Sequence, residues 1–221
     1  MALSHVELLA TEGLVLANAR PKVDIRVGEG LTLLHSGRES SSTMWAMTLA
    51  GRMKQKSGQI FVEGESVTAS QLHKAVALAG VPQLDSLERQ VSVASIVREQ
   101  VAWASPWYQR VPRNIAHIEQ FMSIAELLRL DLDFENASQF NAGSLSPFER
   151  FQLRVALAMV ARPEAKLLVI DDVDQLRSME LRATVLRRLA EVAQEIPVLV
   201  VSANTDDAGV CDALIDEEDV A

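Results

Sequence analysis

With 221 residues, 48% of them hydrophobic, the chain is long enough for one compact α/β domain with a small insertion, or for two lobes. A formal net charge of -9 disfavours non-specific nucleic-acid binding, which needs clustered positive charge, and the single Cys211 excludes an internal disulfide and suits a reducing compartment. No apolar run approaches the roughly 18 residues of a membrane span. The start, MALSHVELLATEG, carries two early acids and no basic segment, so a cytoplasmic chain is expected.

In chain order, Val6 to Leu16 reads as strand material interrupted at Glu12-Gly13, with a turn running to Pro21. Val23 to Val27 alternates apolar and polar residues, as a half-buried strand does. After Gly28-Glu29-Gly30, Leu31 to Leu34 is a buried strand. The polar stretch from His35 to Thr43 then leads into a helix over Met44 to Met53, with Trp45 and Leu49 inward. Gly58 to Gly64 is a strand between turns, and Lys74 to Val81 is apolar enough for a buried strand ending at Pro82-Gln83. Residues 84 to about 143 are helical in pattern, most clearly at Ile96 to Val101 and Ile115 to Leu130.

The stretch LSPFERFQLRVALAMVARPEAKLLVIDDVD, Leu145 to Asp174, is the most informative. Ser146 is a good N-cap, Pro147 fits the first helical position and Glu149 can close a capping box. Val155, Leu157 and Ala158 begin an apolar face running toward Val160. Arg162-Pro163 ends the helix, because proline disfavours helix in the residue before it. Leu167 to Ile170 is the continuous apolar run of a strand buried on both faces of a parallel sheet. Asp171 and Asp172 follow at its carboxyl end, where open α/β sheets bind ligands. Met179 to Gln194 is an amphipathic helix with Leu181, Leu186 and Leu189 inward. Pro197 to Val201 is a buried strand, and Ala213 to Ile215 is a last short one before an acidic tail.

A strand, a small-residue loop and a helix are the context of a phosphate-binding P-loop, where helix N–H groups meet the anion. Aligned on Ser42-Thr43, the pattern G-x-x-x-x-G-K-[ST] finds His35 and Ser40 at the glycine positions and Ser41 at the lysine. Only the Ser42 hydroxyl matches. By spacing alone, an ordinary serine-rich βα loop explains the segment equally well.

The order of segments resembles the nucleotide-binding subunit of ATP-binding-cassette (ABC) transporters over nearly the whole chain. GLTLLHSGRESSSTMWAMTLAGRMKQKSGQIFVEG is similar to the Walker A strand, loop and helix with the strand that follows, and VALAGVPQ to the approach to the Q-loop. FMSIAELLRLDLDFENASQFNAGSLSPFER and RVALAMVARPEAKLLVIDD resemble the signature segment, its helix and Walker B, and PVLVVSANTDD the H-loop strand. The implied architecture is one α/β domain over 1–221 with a P-loop NTPase-like core. It includes a mixed or parallel sheet, an N-terminal antiparallel β part and a helical insertion at about 84–143. The implied cofactors are ATP and Mg²⁺. Gly37, Arg38, Ser40, Ser41, Ser42 and Thr43 would form the phosphate loop. Ser42, Gln83 and Asp171 would surround the metal, Ser146 would be the signature serine, and Asp172 would stand at the catalytic glutamate position. The implied partners are a membrane-spanning transporter subunit, which would hold the chain at the inner face of the membrane, and a second cassette, identical or not.

The departures bear on activity. Ser41 replaces the Walker A lysine, and His35, Arg38 and Ser40 replace loop glycines, whose lack of a side chain lets backbone N–H groups wrap close to phosphate. Losing one preorganised electrostatic contact of this type costs about 3–4 kcal/mol in a transition state. The signature's paired glycines are absent; Pro147-Phe148-Glu149 follow Ser146, and this segment is about two residues longer than the family pattern. Asn18-Ala19-Arg20 stands where a stacking aromatic is expected, Val173 to Leu176 departs from the D-loop pattern, and Ala203 occupies the H-loop histidine position. Asp172 is one methylene shorter than glutamate. Weak Mg-nucleotide binding with impaired hydrolysis is the expectation; a stand-alone pseudo-ATPase scaffold is the alternative. His5, His35, His73 and His117 show no zinc-ligand spacing. Trp103, Trp107 and Tyr108 either pin a loop to the helical part or form a docking surface for a membrane partner.

Overall fold

A computed structural model describes residues 7–17, 24–36, 42–176, 178–206 and 208–217, with Pro82 and Gln83 described by their backbone alone. The chain divides into two compact units, residues 1–78 with 164–221, and residues 79–163.

The first unit holds two sheets. Strands β1 (Leu9–Val15), β2 (Arg26–Val27), β4 (Ser57–Val62) and β5 (Glu65–Ser66) form an antiparallel sheet in the order β2-β1-β4-β5. The interruption expected at Glu12-Gly13 is a bulge within a continuous strand: register with β4 shifts between Glu12 and Val15, and Gly13 takes φ +57°. Among the described residues of the alternating segment, Arg26–Val27 pairs as strand. Ile25 is instead tied by its N–H to the Thr11 hydroxyl, and its carbonyl accepts from Thr11 N.

Strands β3 (Leu31–His35), β6 (Val76–Ala79), β7 (Leu167–Ile170), β8 (Val198–Ser202) and β9 (Ala213–Asp216) form a second sheet in the order β6-β7-β8-β3-β9. The pairs β3–β8, β3–β9 and β7–β8 are parallel. The continuous apolar runs are buried throughout in β7 and β8, while β9, at the edge, is exposed or half-buried. Helix α1 (Ser42–Leu49) packs on β7 and β8 and buries Trp45 and Leu49 as expected. These side chains join Leu9, Leu14, Ile60, Val169, Leu199 and Val201 in one core.

Three expectations need correction. Lys74 and Ala75 belong to helix α2 (Ala69–Ala75), not to the following strand; a Thr68–Gln71 capping box starts that helix. Helix α1 ends at Leu49 rather than Met53. In helix α7 (Met179–Val192), Leu186 and Leu189 face inward but Leu181 is 38% exposed, and Arg182 is buried in its place.

The second unit is helical: α3 (Pro82–Asp85), α4 (Val93–Ala104), α5 (Glu119–Leu127) and α6 (Pro147–Ala161). Helix α4 and helix α5 both pack on α6. Phe121 meets Phe134 edge-on with ring centroids 5.7 Å apart, and buried Gln152 donates to the Leu128 carbonyl at 2.7 Å, satisfying the end of α5. The start of α6 follows the sequence expectation: Ser146 Oγ accepts from Glu149 N, and Glu149 Oε2 accepts from Ser146 N.

Candidate functional site

The carboxyl ends of β3, β7 and β8 carry His35, the Asp171-Asp172 pair and Ala203 of the sequence argument. Strand β7 is buried at all four positions, so the next residue, Asp171, is carried to the rim of the sheet with no solvent exposure. A carboxylate desolvated this way needs donors. One is the Thr43 hydroxyl, which donates to Asp171 Oδ2 at 2.6 Å from the first turn of α1. The N-terminus of α1 therefore lies beside the Walker B-like acid. The partial positive charge of a helix N-terminus favours an anion there. Thr43, rather than Ser42, makes the direct contact; Ser42 is half-buried one residue earlier.

Asp172 adopts a left-handed conformation, φ +52°, which aspartate tolerates better than most residues. Its carbonyl accepts from the backbone N–H and the side-chain amide of Gln175, opening a short 3-10 turn, Val173–Gln175. His35, at the first P-loop glycine position, ends β3. Its Nδ1 lies 2.8 Å from Asp216 Oδ2 on β9, which commits the ring to the edge strand.

Next to this lies a polar cluster that sequence reasoning missed. Asp174 Oδ2 accepts from Ala203 N at 2.7 Å, Asp174 Oδ1 accepts from Asn204 Nδ2 at 2.7 Å, and Ser202 Oγ lies 3.1 Å from both oxygens. Arg182, 2% exposed, reaches Asp174 Oδ1 with Nε at 3.2 Å. Its Nη2 donates to Ser202 Oγ, Asn204 O and Thr205 O at 3.1, 2.9 and 2.8 Å. The segment at the H-loop position is thus bound through its backbone to an aspartate–arginine pair. The sequence carried a signal: Arg182, Val185, Leu186 and Leu189 follow helical i, i+3, i+4, i+7 spacing. A charge on such a stripe demands a partner.

Other site positions are distributed differently. Gly37, Arg38, Ser40 and Ser41, the residues at the stacking-aromatic position (Asn18, Ala19, Arg20), and the Gln83 side chain lie outside the described residues. The Gln83 backbone is in α3 and Ser146 caps α6, both in the helical unit. In that unit, burial outweighs the donation from Gly80 N and raises the Asp85 carboxyl above its ordinary value. Burial first, and then the neighbouring Asp206 carboxylate, push the Cys211 thiol up to about 12.

No family model matches the chain, and no curated protein sequence matches it significantly. Solved structures do. A Pyrococcus furiosus protein described as an ABC transporter ATP-binding protein superimposes with a TM-score of 0.71 at 17% identity, covering 96% of this chain and 98% of that one. The cbiO1 protein of Clostridium perfringens, part of the cbiONQ ABC transporter complex, gives 0.72 at 14% identity, covering 95% and 84%. A bacterial ABC transporter cassette solved as a dimer gives 0.68 at 12% identity, covering 95% of both chains. The chain has the fold of an ABC ATP-binding cassette.

Proposed function

We propose that this chain is a degenerate ATP-binding subunit of an ABC transporter that binds Mg-nucleotide weakly and hydrolyses it slowly or not at all. The observation that carries this reading is the Thr43–Asp171 contact, 2.6 Å long, at a strand-to-helix junction with no lysine. The donor set fits the cofactor in part. A hydroxyl and a carboxylate are the hard oxygen ligands Mg²⁺ prefers. Ser42 adds a second hydroxyl, and Asp171 would hold the metal through water. The groups that meet the β- and γ-phosphates are the ones replaced. When bound, the metal would neutralise phosphate charge; Asp172 would orient the attacking water.

A chain of this kind persists beside a competent cassette, because ABC sites are shared across a dimer. The proposed partners are a membrane-spanning subunit and a second cassette, with the chain held at the cytoplasmic face through them and no role for nucleic acid. Among the described residues no helix is long and apolar enough to cross a membrane. A second reading, a scaffold that uses no nucleotide, is favoured by the Asp174–Arg182 network, which ties the H-loop-like segment down through its own backbone.

Titration calorimetry with Mg-ATP separates the two. Binding near millimolar concentration, abolished by Asp171→Asn, is the expected result. A flat titration of the unmodified chain selects the scaffold. Any phosphate release by the purified chain should fall in Asp172→Asn; an unchanged rate removes the assigned role of Asp172.

A further inference from the structure

Helix α4 buries Val93, Ala94, Val97 and Val101, which leaves Trp103 on the outer side of its last turn, 81% exposed. Ser105 caps the helix, and Gln109 N donates to Pro106 O at 2.9 Å. Residues 106–109 are therefore a tight turn with Trp107 and Tyr108 at its tip, 95% and 72% exposed. The two rings meet edge-on with centroids 5.9 Å apart. None of the three aromatics pins the loop to the helical unit; Arg98 does so instead, its Nε donating to Pro112 O at 3.0 Å. Two of the chain's three tryptophans and its one tyrosine are thus held out in water by a built turn.

The stretch of sequence that carries them has a charge opposite to that of the whole, although Glu119 lines the same recess as Arg110. From residue 98 to 113, Arg98, Arg110 and Arg113 stand against one acid, Glu99, in a chain with a net charge of -9. Trp and Tyr rings, apolar with one polar handle, settle at the boundary between headgroups and acyl chains. Arginines beside them gain from an anionic leaflet, whereas the chain's acidic surface would otherwise be repelled by it. We propose that the Trp103–Tyr108 tip is a membrane-surface anchor: it inserts its rings into the interface of an anionic bilayer, with Arg110 and Arg113 on the headgroups. This contact is made by the chain itself, independently of nucleotide and of any membrane-spanning partner.

The test is flotation of the full chain with phosphatidylcholine vesicles and with vesicles in which about a third of the lipid is phosphatidylglycerol. The chain should float with the anionic vesicles, shift its tryptophan emission to the blue and be released by salt. Trp107→Ala/Tyr108→Ala, exposed positions that leave circular dichroism unchanged, should weaken partitioning at least about tenfold. Arg110→Gln/Arg113→Gln should weaken it on anionic vesicles alone. Failure of the chain to float with anionic vesicles overturns the proposal, as does undiminished binding by the aromatic variant. It is equally overturned if the aromatic variant instead turns a dimer into a monomer, because a second copy then covers the patch.

Discussion

Arg182 shows how a single buried charge can order the loop at the end of a strand. Removing it strands the Asn204 and Thr205 carbonyls and leaves a cavity, while Asp174 keeps donors from Ala203 N and Asn204. Breaking one side of a buried ion pair typically costs about 3–5 kcal/mol, and the surviving donors to Asp174 place Arg182→Ala near the lower end. Urea unfolding should report a loss of about 3 kcal/mol; a loss below about 1 kcal/mol would show that the network is ornamental. At this scale the sequence was partly legible. Asp171 was placed from its neighbours, since a four-residue apolar strand must deliver the next side chain to the rim. The choice between Ser42 and Thr43 was not legible, because one residue is a 100° rotation at a helix start and only the fold fixes its phase.

Local chemistry decides the elements wherever it is strong. The Ser146–Glu149 capping box, Pro147 and the Arg162-Pro163 stop bounded α6 correctly, because caps and proline act within a turn of chain. Helix α2 buries only Leu72 and so shows no apolar period, although its Thr-x-x-Gln box was present in the sequence. Gly30, in the turn entering β3, is a sharper case. It has φ +83°, and a Cβ there would lie 2.3 Å from Asp212 Oδ2, the acceptor for Leu31 N at 2.8 Å. Gly30→Ala therefore carries a left-handed backbone cost of about 1–2 kcal/mol and disturbs that hydrogen bond for about 1 kcal/mol more. Gly64 has φ +80° with nothing within 4 Å, so Gly64→Ala isolates the backbone cost. Thermal unfolding should rank Gly30→Ala clearly below Gly64→Ala; equal midpoints would mean that Asp212 yields freely.

For the whole molecule, the order of segments carried the fold at an identity too low for any one motif to do so. A βα loop, an acid-ended strand and a capped helix before it impose the same layers even when the side chains at the ligand change. Sheet and helix packing depend on the apolar runs, while nucleotide affinity depends on a few polar residues at their ends; the two can drift apart. That separation sets a quantitative expectation for the intact chain. A ligand that binds only the folded state stabilises it by RT ln(1 + [L]/Kd), about 4 kcal/mol at a thousandfold excess. For a chain of this length each kcal/mol moves the melting temperature by about 2–4 °C. A micromolar nucleotide site at millimolar Mg-ATP would thus raise it by about 10 °C. A site with a millimolar Kd gains only about 0.4 kcal/mol, or about 1 °C. Without the Walker A lysine the small shift is expected, and it should vanish in Asp171→Asn. A rise near 10 °C would show that the loop between β3 and α1 has found another way to hold a triphosphate, and the degenerate reading would fall while the fold stood.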